Sequence, residues 1–330
     1  MNRKLLFLLL ACFICSSGVL GQDWGDVMSE KYRDIWNEQV QEKIDVGIEK
    51  NRKANAVLKF ENFPRGVEIK VKQISHHFLF GGNIFLFGDC GSPEKNKQYE
   101  NTFGDLFNAA TVPFYWRTLE PVKGEPRYEA GSSYEYRRPP TDPVIEFCES
   151  KGINMNGHAI IYGQPQWGPP LWMPENRKEM EPFFEDHIRD LAKRYHGRVQ
   201  RWDVVNEPTD QANRGPMPDD YTYKSFLWAM KYFPDSVLLN INDSDMHWDM
   251  TLYRRYLEIV RNLIDRGIRI DQVGLQMHIF NPNESREIAR GANILTPEKI
   301  EQRLDLMADA GRPLHVSEVT VSAPDDSDNG

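Results

Sequence analysis

An α/β (β/α)8 (TIM) barrel without its eighth strand and helix, preceded by a short helix and a β-hairpin, is the fold that this sequence predicts. Three observations point to it. From His77 onward short apolar runs alternate with longer amphipathic ones, the pattern of parallel strands joined by right-handed helical crossovers. Polar residues collect near the C-terminal ends of those runs, as "GH", "NE", "QMH" and "SE", where the functional face of such a barrel lies. The glycine-rich "FGGNIFLFGDCG" lacks the G-x-G-x-x-G spacing and has no helix opening on it, which disfavours an open nucleotide-binding sheet.

Residues 1–21 read as a secretory signal. Arg3 and Lys4 precede an apolar run from Leu5 to about Cys15 that is too short to span a bilayer, and small residues follow. Val19 and Gly21 stand three and one residues before a cut ahead of Gln22, so a secreted or periplasmic protein is expected. "LLAC" offers a lipoprotein cut before Cys12 with acylation of that thiol, a reading that the bulk of Leu10 disfavours. Residues 22–76 form a lead-in expected to pack on the main domain. An amphipathic helix covers Tyr32–Lys53, with Val40, Ile44 and Ile48 at four-residue spacing. "VLKF" and "VEIKV" then alternate like two short strands around a turn built on Pro64 and Gly66.

The main domain runs over residues 77–330. Its strand candidates are "FLFGGNIF", "NAATVPF", "INMNGHAII", "VQRWDVV", "SVLLNI", "QVGLQMHIF" and "PLHVSEV". Helices are expected at 94–106, 141–150, 179–195, 221–231, 249–266 and 297–310, the last opened by Thr296 and Pro297. The 40% hydrophobic share fills a substantial core. A net charge of −9, with basic residues scattered among the acidic ones, argues against nucleic acid and an anionic membrane surface as partners. No run after the signal reaches membrane-spanning length, and a monomer is expected. Outside the signal only Cys90 and Cys148 remain, either as one disulfide or as two thiols.

In "RWDVVNEP" the apolar Val204 and Val205 run directly into Asn206 and Glu207 before Pro208 ends the strand. In "LHVSEVTV" Glu318 interrupts what reads as a buried strand. A lone Glu at a strand end is usually a solvated loop residue, but two on strands that face each other across one barrel mouth can converge. A facing carboxyl pair is what glycosidic cleavage needs: one protonated to release the leaving oxygen, the other ionised to attack the sugar or activate water. Carboxyl groups roughly 5–5.5 Å apart retain configuration, and roughly 6.5–9.5 Å apart invert it. Gln276 and His278, two apart, share a strand face, which fits a site or a buried polar pair equally. His158 read alone is a satisfied core histidine. A zinc site from His158, His278 and a carboxylate has no supporting spacing, so no metal and no cofactor are expected.

"WDVVNEP" resembles the acid/base strand of the family 10 glycoside hydrolases, the retaining endo-β-1,4-xylanase family. "GHAIIYGQPQW", "IDQVGLQMH" and "LHVSEVT" are similar to its Gly-His, Gln/His and nucleophile strands, in the same order from about residue 40 to 322. The resemblance implies Glu207 as acid/base, Glu318 as nucleophile and Asn206 bonding the sugar 2-hydroxyl. It also implies that His158, Gln276 and His278 line that subsite. Trp167 and Trp172, in the loop "YGQPQWGPPLWMP", are candidate stacking platforms for sugar rings.

Two departures qualify it. The family's Thr-x-Glu-Asn and Met-Lys-Trp stretch, which binds non-reducing-side sugars, is replaced by "FNAATVPFYWRTLEP", about two residues shorter; Glu-Asn is lost and only Arg117 could stand in for the lysine. The chain then ends in the acidic "SAPDDSDNG" where a last strand and a tryptophan-rich loop are expected. That implies a fragment, or a gene product cut short; if the chain is complete, poor stability and weak or no activity are expected. Xylan is the first expected substrate. The alternatives are a non-catalytic or weakly active glycan-binding barrel, or a retaining β-glycanase acting on another polymer such as β-glucan.

Overall fold

The computed structural model describes residues 37–57, 59, 66–209, 215–243, 250–278 and 296–320. The expectations for the signal and Cys12, for Pro64 and for the acidic tail therefore lie outside the described residues. Residues 67–76, which include the predicted second hairpin strand, form no strand. Val67, Ile69 and Val71 stay exposed. Alternation marks a face fit for covering, but a strand persists only where a neighbour pairs with it.

The chain divides into two compact units. In the first, helix α1 (Glu38–Arg52) begins where the Asn37 side chain accepts the backbone N–H groups of Gln39 and Val40, each at 3.1 Å. None of its residues is buried.

The second unit holds a parallel sheet of β1 (Gly81–Asn83), β2 (Ala109–Pro113), β3 (Asn154–His158), β4 (Ile161–Tyr162), β5 (Arg201–Asn206), β6 (Leu238–Asp243), β7 (Gln272–Met277) and β8 (Leu314–Val319). Between them run α2 (Pro93–Leu106), the single turn α3 (Trp116–Leu119), α4 (Thr141–Lys151), α5 (Arg177–Arg194), α6 (Tyr221–Tyr232), α7 (Met250–Asp265) and α8 (Pro297–Ala308). The strand order is β1-β2-β3-β5-β6-β7-β8, every pair parallel, with the two-residue β4 pairing β5 as a continuation of β3. Among the described residues β1 pairs only with β2 and β8 only with β7, so the sheet stays open between them. It is nonetheless curled. β3 and β8 are separated by three strands in that order, yet His158 Nε2 on β3 lies 3.7 Å from Glu318 Oε1 on β8.

Local sequence explains the helix positions. Ser92 caps α2 with Pro93 at its first position, Asn176 caps α5, and Gly152 ends α4 in the left-handed region at φ 67°. On α7 the buried Tyr253, Tyr256, Leu257, Val260 and Leu263 follow three- and four-residue spacing and form the face that meets the sheet. Under the sheet, Trp202 is fully buried against Phe114 and Phe233, with ring centroids 4.6 and 5.5 Å away. Gly157 makes room for that indole, since a Cβ there would stand 2.2 Å from Trp202 Cε3. Cys90 and Cys148 are free thiols, and burial pushes the Cys148 thiol up to about 12. No helix among the described residues is long and apolar enough to cross a membrane.

Candidate active site

A cavity of about 640 Å³ opens at the C-terminal ends of the strands and extends along the gap between β1 and β8. Glu207, Glu318, Asn206, His158, Gln276, His278 and Trp167 all line it. These are seven of the nine residues singled out from the sequence, and the local backbone explains how they converge.

Two irregularities in the ladder aim the side chains. Along β5 the register with β6 shifts between Asp203 and Val205, so that Asp203 and Asn206, three apart, both engage the interior network. Along β8 the register with β7 shifts so that Leu275 faces Val316 but Gln276 faces Glu318. A strict period of two would put Glu318 on the side of Val316. Instead Val316 and Val319 are exposed while Ser317 and Glu318 both reach Asn242 on β6. The expectation of a fully buried strand is corrected accordingly: β8 is a half-exposed edge, because no strand pairs its outer side among the described residues. Glu207 follows β5 with φ 51°, a left-handed conformation uncommon for a residue with a Cβ, and its N–H donates to the Asn242 carbonyl at 2.7 Å.

A hydrogen-bonded chain joins the two carboxyl groups. Gln276 Nε2 donates to Glu207 Oε1 at 2.9 Å and to Asn206 Oδ1 at 3.3 Å. Asn242 Nδ2 donates to Asn206 Oδ1 at 2.8 Å and to Glu318 Oε1 at 2.9 Å. Both protons of each amide are thereby used, and Asn206 Oδ1 accepts two of them, which leaves the Asn206 N–H groups for a ligand. Gly274 permits the arrangement: a Cβ there would lie 2.4 Å from Asn242 Oδ1.

The two carboxyl groups are tuned in opposite directions. Burial is the main reason the Glu207 pKa is pushed up to about 8; the Glu318 and Asp243 charges add to it, against hydrogen bonds from Tyr162 and Gln276. For Glu318 burial acts upward too, but the His158 charge, and the hydrogen bond and charge of His278, outweigh it and hold the group below the usual carboxylate range. His278 Nε2 lies 3.0 Å from Glu318 Oε2, and its Nδ1 lies 2.7 Å from Thr320 Oγ1. His158 is held charged in turn. Burial opposes this, but Glu318 and the Asp203 carboxylate, 2.9 Å from Nδ1, raise its pKa. Asp203 is buried as an anion because His158 and Asn156 supply hydrogen bonds, the latter at 2.8 Å.

Two of the nine residues lie away from the cavity. Trp172 is not at the cavity: its Nε1 donates to the Glu120 carbonyl at 2.9 Å and its ring packs edge-on against Trp116 and Phe183. With its N–H satisfied and its ring packed on both neighbours, this indole contributes to the core. Arg117 does not line the cavity either, because in the single turn α3 Trp116 and Leu119 take the buried side. The sequence reading also missed Asn242, Asp203, Tyr162 as a partner of Glu207, and Arg138 at the cavity wall. For Asp203 a signal existed, a polar residue at an otherwise apolar strand position, whereas Asn242 follows the end of the predicted "SVLLNI". For Arg138, in an irregular loop, none did. Among the described residues no group of three or more His, Cys, Asp or Glu side chains is arranged to hold a metal ion.

Comparison with known proteins agrees with this geometry. The family model described as glycosyl hydrolase family 10 matches residues 82–329. The chain is 24% identical to endo-1,4-beta-xylanase B of Thermotoga neapolitana over 259 residues, 75% of this chain and 66% of that protein. It is 26% identical to beta-1,4-xylanase of Dictyoglomus thermophilum over 254 residues, 73% of this chain and 64% of the relative. The chain thus spans just under two thirds of the length of these curated relatives. Among solved structures, native xylanase 10B from Thermotoga maritima superposes with a TM-score of 0.57 at 22% identity, covering 75% of this chain and 72% of that one. A GH10 endoxylanase from a sugarcane soil metagenome gives 0.56 at 24% identity, covering 76% and 70%. Both likenesses place the sheet and its helices in the barrel fold of those structures.

Proposed function

The chain belongs to glycosyl hydrolase family 10, and from that premise we propose that it is an exported endo-β-1,4-glycanase that hydrolyses xylan with retained configuration. One observation carries the reading: two carboxyl groups on one cavity are displaced in opposite directions, Glu207 upward and Glu318 downward. Pairs of acids driven apart by their surroundings divide into a proton donor and an anion.

Glu207, neutral below about pH 8, gives its proton to the glycosidic oxygen as that bond breaks. Glu318, kept ionised by His158 and His278, attacks the anomeric carbon and forms a glycosyl ester. Glu207, now a carboxylate, takes a proton from water as its oxygen attacks the same carbon, and Glu318 leaves as the anion. Asn206 offers its remaining amide N–H groups to a sugar hydroxyl, and Trp167 offers a ring face for stacking.

The xylanases among the relatives support xylan as the polymer. The basic start and apolar run of residues 3–15 support export with cleavage before Gln22, which N-terminal sequencing of the mature protein reads directly. Glu207→Ala and Glu318→Ala test the chemistry. Each is expected to lower turnover of xylan by about 10²–10⁴-fold or more, and the first-formed product of the parent chain, followed by proton NMR, to be the β-anomer. Near-parental hydrolysis by either variant, or an α-anomer, rules the assignment out.

A further inference from the structure

Two arginines of the barrel unit are buried in different ways. Arg127, 4% exposed, spends all three of its nitrogens on backbone carbonyls: Nε on Ser133 at 2.7 Å, Nη1 on Thr118 at 2.9 Å and Nη2 on Arg138 at 2.9 Å. That is a structural arginine, tying a loop together. Arg138, 9% exposed, donates from Nη1 to the Arg137 carbonyl at 2.8 Å. Its Nε is buried without a hydrogen-bond partner, and its Nη2 makes no hydrogen bond among the described residues. These two unused donors lie on one edge of the guanidinium, the edge that matches a carboxylate or another planar array of anionic oxygens.

The guanidinium carbon sits 4.1 Å from the ring centroid of Tyr115, 4.8 Å from that of Trp167 and 5.0 Å from that of Phe85. Those rings hold the cation in place but accept no hydrogen bond in its plane. Neither Arg138 nor its neighbour Arg137 belongs to an ion pair among the described residues. A buried cation without a counter-ion is costly, and burial drives the Arg138 pKa down. Both arginines line the cavity that holds Glu207 and Glu318, in a chain whose net charge is −9. A positive wall inside one pocket of an acidic protein selects ligands locally, since the overall field does not attract anions.

We propose that Arg138, assisted by Arg137, receives an acidic substituent of the bound glycan, a uronic carboxylate or a sulfate ester, and so makes the cavity selective for an acidic polysaccharide. This rests on the reading that the cavity binds a glycan. The aromatic cage aligns the guanidinium beforehand, so little side-chain freedom is lost when the anion docks.

The test uses the full chain and four probes: a neutral xylo-oligosaccharide, the same chain with one glucuronic acid, that compound with its carboxyl reduced to the alcohol, and a singly sulfated analogue. Both kcat/KM and, by calorimetry, Kd are measured for each. The uronic acid probe, or the sulfated one, is expected to exceed its uncharged counterpart by about tenfold or more, as a hydrogen-bonded charge pair allows. Whichever wins assigns the anion. In Arg138→Gln the advantage collapses, in Arg138→Lys part of it remains, and in the parent chain it shrinks as salt rises. Reducing the carboxyl removes the charge from the ligand, so the result does not depend on how a variant folds. Equal values for acidic and reduced probes, or a preference that survives Arg138→Gln, overturn the proposal. If no probe is hydrolysed, the glycanase reading fails while the Kd comparison still decides the role of Arg138; if none binds, both fall.

Discussion

Replacing Tyr162 by Phe isolates one interaction that sets the acidity of Glu207. The Tyr162 hydroxyl donates to Glu207 Oε2, and this bond favours the ionised carboxylate, against the burial that raises the pKa to about 8. A hydrogen bond to a charged group contributes about 1.5–3 kcal/mol, and about 1.4 kcal/mol corresponds to one pH unit. Removing the hydroxyl while keeping the ring therefore raises the Glu207 pKa by about one unit or more, since the neutral form loses less than the anion does. Glu207 and Glu318 influence each other, so the midpoints observed belong to the pair. Two assays read the change. The alkaline limb of kcat/KM moves to higher pH, because a general acid must be protonated in the free enzyme. A carbon-13 titration of the labelled carboxyl moves in the same direction and needs no activity. A limb and a titration that stay in place, or that move downward, refute the claim that Tyr162 holds down the pKa of Glu207.

Other consequences follow from the same contacts. Gly157→Ala forces a Cβ to within 2.2 Å of the buried Trp202 ring, and urea unfolding should show a loss of about 1–3 kcal/mol from overpacking. His158→Gln removes the cation that keeps Glu318 ionised, so the acid limb of the rate profile moves to higher pH while the alkaline limb moves less. Glu207 folds with its pKa raised from 4.5 to about 8, so the stability it contributes is full below about 4.5 and is lost as pH rises through about 8. Glu207→Gln keeps the neutral shape at every pH, and its gain in Tm over the parent should be larger at pH 9 than at pH 5; a gain independent of pH would contradict the raised value.

Much of this molecule is legible in its sequence because the signals are local. In the barrel unit the helices other than the single turn α3 begin within a residue or two of the predicted starts, with Pro93 and Pro297 at first helical positions and Gly152 closing α4, whereas α1 starts at Glu38 rather than at Tyr32. Glu207 and Glu318 stand out by position, each at or near the C-terminal end of an apolar run, and the structure brings them with residues of the four quoted motifs to one cavity. What the sequence hid is what depends on long-range geometry. Alternation along β8 points Glu318 the wrong way, and only the register shift against β7 explains how it reaches the cavity. Asn242 looks like an ordinary strand residue until Gly274 lets it approach and bridge to Asn206. Trp172 has the composition of a sugar platform, but the Glu120 carbonyl and two rings claim it first. Arg138 belongs to a loop without periodicity, so only its unused donors and its place on the cavity wall mark it.

The division of roles between the two carboxyl groups is tested most directly by trapping the glycosyl ester. Incubation with a 2-deoxy-2-fluoro-β-xylobioside bearing a good leaving group, followed by peptide mass spectrometry, should place one sugar adduct on Glu318, with none on that peptide in Glu318→Gln. An adduct on Glu207, or turnover without any covalent species, would contradict the account.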